Sequence, residues 1–144
     1  MSATQGTRIG LVVLGVQGLF PGVWATASPR GFYDDFPGFG AHWISDDGPF
    51  NEHLIRDFGA LNLALAVLAL LAALWMTRQL VIATAVSVLV YGVPHFLYHA
   101  LNGQEGDPLN QIALYGGLAL GPVLAAVILV ANARPNDPRT SDVT

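Results

Sequence analysis

The chain has 144 residues, of which 53% are hydrophobic and only 11% charged, and its mean hydropathy is +0.50. Soluble domains carry about 25% charged residues, so this chain has too little polar material to coat a globule and belongs to the integral membrane class. A net charge of -4 argues against a nucleic-acid partner, and the absence of cysteine excludes a disulfide framework, a Cys-ligated zinc site and thiol–quinone redox chemistry.

The first apolar run opens at Arg8 and continues to Ala27. Roughly 19 residues at 1.5 Å each span about 28 Å, close to the hydrocarbon thickness of a bilayer. Ala25-Thr26-Ala27 followed by Ser28 also resembles a signal-peptide cleavage site. The apolar stretch is longer than a usual signal core, which favours a retained helix. Gly18 and Gly22 stand four apart and offer a small face for close helix packing. Gln17 falls near the middle of the span and needs a polar partner.

Residues 28–57 form a long loop that interleaves acids with aromatics: Asp34, Asp35, Asp46, Asp47, Glu52 and Asp57 among Phe32, Tyr33, Phe36, Phe39, Trp43 and Phe50. This pattern suits a segment lying on the bilayer surface with rings down and carboxylates up. Its glycines and prolines forbid one long helix. Six aromatics in a solvated loop would expose a large apolar patch, so the loop is expected to pack onto the bundle mouth as a lid.

Three more apolar runs follow, giving spans at about 9–27, 57–76, 80–101 and 110–132 in a single domain, residues 1–132, with a polar tail over 133–144 that is expected to be disordered. Glu52 with Arg56, and His53 with Asp57, are favourable i,i+4 pairs at the start of the second span, and Asn62 is the polar residue inside it. A three-residue turn over 77–79 makes the second and third spans an antiparallel hairpin. Gly117 and Gly121 give the last span a second small-residue face. The expected fold is therefore an all-α membrane four-helix bundle with a long loop between its first two helices. Arg8, Arg78, Arg134 and Arg139 fall on one side, Arg30 and Arg56 on the other. The positive-inside rule then puts both termini in the cytoplasm and the long loop outside.

The chemistry-bearing residues gather at that outer end. Tyr91, His95, Tyr98 and His99 share one helix face by spacing, around Pro94. His42, His53, Glu52, Arg56 and Asp57 lie in or beside the lid at the same height. Imidazoles and carboxylates together suit a divalent metal, and His95 with His99 at i,i+4 can hold one from a single helix. That spacing cannot supply both axial ligands of a haem, which would need His42 or His53 as the second. The competing reading is a structural polar cap, since histidine and tyrosine are common anchors at membrane interfaces. A substrate or lipid pocket is the third. An inward stripe is expected on cost, because an unpaired donor or acceptor facing lipid costs about 1–3 kcal/mol. His95, His99 and the His53–Asp57 turn are then expected to face one cavity, with Tyr91, Tyr98, Arg56 and Asn62 around it.

Four spans, a loop after the first, and Arg56-Asp-Phe-Gly-Ala-Leu-Asn-Leu-Ala64 opening the second resemble the DoxX-like group of small bacterial membrane proteins. The likeness covers Arg8 to Asn132. It implies a multi-pass protein of the bacterial cytoplasmic membrane, and, as for some members, an accessory or subunit role in respiratory or redox complexes. No catalytic residue carries over, and the Pro94–His99 segment has no counterpart in that group's pattern. The leading expectation is an accessory or binding protein acting with a membrane-protein partner or as a homo-oligomer. Its alternatives are a metal- or haem-dependent oxidoreductase using His95 and His99, and a small-solute transporter.

Overall fold

The computed structural model describes residues 2–103 and 107–133. Arg134, Arg139, Glu105 and the tail beyond Ala133 lie outside the described residues. The elements run α1 (Ala3–Ala27), α2 (Pro29–Asp35), β1 (Pro37–Gly38), β2 (Ala41–His42), α3 (Glu52–Trp75), α4 (Arg78–Asn102) and α5 (Pro108–Ala133). The four long helices are each long and apolar enough to cross a membrane. Their outer faces carry Val16, Val23, Leu61, Val67, Val90, Leu120, Val123 and Val127 in the open. Helices apolar on every side, with no water-soluble coat, are those of a multi-pass membrane protein.

Local chemistry sets the helix ends. Ser2 Oγ accepts from the Gln5 amide at 3.2 Å, so α1 starts well before the apolar run does. Asn51 Oδ1 accepts from Leu54 N at 3.1 Å and caps α3. Asp107 Oδ2 accepts from the amides of Leu109 and Asn110 at 3.1 and 3.3 Å and caps α5. These acceptors satisfy donors that a helix start leaves unpaired. Met76 takes a left-handed conformation (φ 52°) and stops α3, leaving only Met76 and Thr77 as the turn into α4. Two arginines cover helix C-termini. Arg56 Nη1 donates to Thr26 O at 2.6 Å, and Arg78 Nε to Asn132 O at 3.1 Å.

The bundle is antiparallel throughout, but it is built as two pairs: α1 packs most extensively on α3, and α4 on α5. Small residues cause this. A Cβ on Gly18 would sit 3.0 Å from Asn62 O, and one on Gly59 2.9 Å from the Thr26 backbone nitrogen, so the α1 and α3 backbones nearly touch. A Cβ on Gly92 would sit 2.8 Å from Pro122 Cγ across the α4/α5 seam. The expected α3–α4 hairpin exists as a connection, yet those two helices meet much less. A short turn fixes which ends are near, and the glycine faces decide which helices press together. Toward the α3–α4 turn the pairs share one core of Leu11, Leu14, Ala69, Ala72, Val81, Ala85, Ala125 and Ile128.

At the opposite end the loop folds onto the mouth. It contains the seven-residue α2 and the two-residue β1–β2 hairpin, paired Pro37 to His42 and Gly38 to Ala41, and no long helix, as expected from its glycines and prolines. Its rings turn onto the bundle mouth. They stack on one another: Phe32, 1% exposed, packs with Ala25 and Ile55 and against Trp24, Phe36 and Phe58. Phe36 lies 4.5 Å from Phe32, 5.9 Å from Phe20 and 5.8 Å from Trp43 between ring centroids. Aromatic pairs at these separations add to the burial itself. Phe39 at the hairpin tip is the exception and is fully exposed. Tyr33 Oη donates to Gly48 O at 2.8 Å, and Trp43 Nε1 to Asn110 Oδ1 at 2.6 Å, fastening the lid to itself and to the start of α5.

Candidate functional site

Beneath the lid, between the two helix pairs, lies a cavity of about 330 Å³. Its walls are mostly apolar: Leu14, Phe20, Phe36, Trp43, Ile44, Phe58, Leu65, Val88 and Leu114 among others. Gln17, Asn62, Tyr91, His95 and His99 are its polar groups. The volume sits at the lower end of small-molecule pockets, which run about 300–1,000 Å³, and the mixture of apolar walls with a few polar groups is typical of them.

The polar groups fall into two sets. Gln17 and Asn62 are satisfied within the protein. Gln17 Nε2 donates to Gly117 O at 2.8 Å, while Asn62 Nδ2 donates to Phe58 O at 2.9 Å and to Tyr91 Oη at 3.1 Å. Gly117 and Gly121 therefore do not form the helix contact expected of them. They face Gln17 and the cavity, and a Cβ on Gly117 would meet nothing within 4 Å. The two histidines form the second set. The His95 ring stacks on Tyr91 at 5.4 Å and 18°, lies 6.1 Å from Phe58, and meets the His99 ring edge-on at 5.1 Å. His95 is thus held by its face against Tyr91, and His99 by edge-type contacts with His95 and, at 5.3 Å, with Tyr98. Among the described residues, no protein group hydrogen-bonds to a ring nitrogen of either histidine.

The remaining candidates are placed elsewhere. Tyr98 is 51% exposed and does not line the cavity. Three residues beyond His95 turns the helix through 300° and four through 400°, so Tyr98 and His99 lie on opposite sides of the His95 direction. His53 and Asp57 pair at 3.2 Å in the open, with side chains 88% and 62% exposed, and Glu52 pairs with Arg56 at 2.9 Å, also exposed. None of these four lines the cavity, so the expected sharing of it by the His53–Asp57 turn is corrected. That turn has the height of His95 but faces away around the α3 axis, where Phe58 and Asn62 take the inward positions. His42 Nδ1 is 2.6 Å from Asp34 O, within the lid. Among the described residues no three His, Asp or Glu side chains converge as a metal set. His95 and His99 thus offer two ligands without a third, and neither His42 nor His53 joins them to complete a haem pair.

Sequence reasoning missed the aromatic half of the site. Phe58 precedes Asn62 by one turn, so its inward position was readable once Asn62 was placed inside. Phe36 and Trp43 arrive from the lid, and no local spacing announces that. Compared with known protein families, curated proteins and solved structures, the chain matches none.

Proposed function

We propose that this is a membrane-embedded accessory or binding protein that holds a small hydrophobic ligand, with the ligand's polar edge against His95 and His99. One observation carries the reading: two imidazoles line an apolar cavity within the spans, and no described residue bonds to their ring nitrogens. Among the described residues no buried side-chain nitrogen or oxygen lacks a partner, so these ring nitrogens open onto free space at the cavity, where a polar atom can pair with them. A bound molecule with a hydroxyl or carbonyl supplies the partner. The setting follows the arginine asymmetry, with both termini in the cytoplasm of a bacterial inner membrane. The DoxX-like resemblance supports a role beside a respiratory or redox complex, as a subunit or as a self-assembled partner.

The test is purification in mild detergent, followed by mass spectrometry of extracted small molecules, metal analysis and an absorption spectrum. The expected result is a lipophilic molecule present with the wild type and lost from His95→Ala and His99→Ala. A stoichiometric metal or a haem band would replace this reading with the two-histidine metal site. An empty wild type, together with histidine variants of lowered stability, would leave only a structural polar cap.

A further inference from the structure

We infer that the ligand is a neutral, ring-bearing molecule dissolved in the bilayer, and that it enters the cavity sideways, between α1 and α5, past Phe20 and Gly117. This rests on the binding reading above and adds the ligand's class and its source.

The route follows from which wall is open. Among the described residues lining the cavity, those on α3, on α4 and in the lid are all buried or half-buried; the exposed ones are Phe20 on α1 and Gly117 on α5. Both border the α1/α5 seam. There the helices meet sparingly: through the Gln17 bond to Gly117 O beside the opening and, toward the other end, through Gly10 against Ile128 and the Asn132 Nδ2 bond to Thr7 Oγ1 at 3.1 Å. The space beyond Gly117 is empty of protein to 4 Å. Gly117 lies nine residues into α5, about 14 Å from its start, and Phe20 seven residues from the end of α1, about 10 Å. An opening at that depth faces acyl chains, not water. The aqueous end is covered by the Phe36 ring stack and by the Trp43–Asn110 hydrogen bond.

The class follows from the walls. No Asp, Glu, Arg or Lys lines the cavity, so any charged ligand would be desolvated there at high cost, and an anion would also meet the Asp47 carboxylate that acts on His95 from the lid. The protein-unpaired nitrogens of His95 and His99 ask for a hydroxyl or carbonyl. Tyr91 and His95 are already stacked, Phe58 and Trp43 add further ring surface, and on the opposite wall Gly117 leaves a gap among Leu114, Leu118 and Pro122. Ring-lined slots of this kind favour flat rings.

The test uses the full chain in lipid nanodiscs with two probes of one ring system: 1-naphthol, which is neutral, and naphthalene-1-sulfonate, which is permanently charged. Stopped-flow probe fluorescence reads the kinetics. The wild type should bind 1-naphthol at least tenfold more tightly than the sulfonate. Gly117→Leu should slow 1-naphthol association at least tenfold, and Phe20→Ala should speed it severalfold, which keeps the route testable should the leucine variant misfold. Asn110→Ala, which removes the Trp43 acceptor, should leave the rate unchanged. Unchanged rates in both seam variants, or faster entry in Asn110→Ala, would move the entrance to the lid and overturn the route. Equal binding of the sulfonate would overturn the class. If the wild type binds neither probe, and His95→Ala behaves identically, the binding reading itself is lost, a result distinct from failure of the route.

Discussion

Asn62 on α3 and Tyr91 on α4 are joined by a 3.1 Å hydrogen bond that ties the α1/α3 pair to the α4/α5 pair at the cavity floor. Asn62 is also held to Phe58 O at 2.9 Å, so its amide is oriented before Tyr91 meets it. Inter-helix hydrogen bonds inside membranes average about 0.6 kcal/mol and reach about 1.7 kcal/mol. Tyr91→Phe and Asn62→Leu should each lower stability by an amount in that range. Reversible unfolding in mixed micelles measures it, and the double variant should cost less than the sum of the singles. Strict additivity would mean the bond carries no coupling between the pairs.

The α1/α3 seam makes a sharper demand. A methyl on Gly59 would meet the Thr26 backbone nitrogen at 2.9 Å and Ala25 Cβ at 3.0 Å, and backbone cannot swing aside. Gly59→Ala should cost about 1–3 kcal/mol as an overpacked contact. Gly116 has nothing within 4 Å of the same position. Gly116→Ala should therefore be neutral or stabilising, by up to about 1 kcal/mol from helix propensity. The same unfolding measurement on both variants separates contact from propensity, and equal effects would refute the close seam.

The contrast between these positions shows what the sequence could and could not convey. Composition alone places four apolar rods, because the bilayer imposes one solvent on every outward face. Spacing puts Tyr91, His95 and His99 on one side of α4, since that is a property of a single helix. Partner choice is a property of two helices. Gly18 and Gly22 announce a close contact without naming α3 as its other half, and Gly117 and Gly121 carry the same signature yet face a cavity. The His53–Asp57 turn failed for a related reason: chain position gives height along the bundle, whereas facing around an axis depends on which neighbour is packed against. The lid's ring stack joins residues from α1, the loop and α3, and no periodicity spans those three.

Phe32 should be the anchor of that lid. It is 1% exposed and touches the rings of Trp24, Phe36 and Phe58 at 6.1, 4.5 and 5.7 Å. Phe32→Ala should destabilise by about 3–5 kcal/mol, as for other large core aromatics, and should free the segment from Phe36 to Phe50. Limited proteolysis in nanodiscs reads this directly. The wild-type lid should resist cleavage and the variant should be cut within 36–50. A wild-type lid cut as quickly as the variant would show that the stack does not hold it down.

The orientation of the bundle is the remaining expectation, and it rests on charge. Residues 28–57 carry six carboxylates and two arginines, and both arginines are engaged: Arg30 Nε with Asp34 Oδ2 at 2.7 Å and Arg56 Nη2 with Glu52 Oε1 at 2.9 Å. The Asp34 hydrogen bond raises the Arg30 pKa above its ordinary value, so this arginine stays charged but neutralised in place. At the other end Arg78 Nε donates to the Asn132 carbonyl at 3.1 Å, beside the turn between α3 and α4. Arginine near a span end favours the cytoplasmic side, whereas acids contribute little to that choice. The lid end should therefore face outward and the Met76–Thr77 turn inward. The chain has no cysteine, so single cysteines can be added without background. Phe39→Cys, at the fully exposed hairpin tip, should react with a membrane-impermeant maleimide on intact cells. Gln79→Cys, exposed beside the turn, should react only after permeabilisation. The opposite labelling pattern would invert the topology and place the lid on the cytoplasmic side.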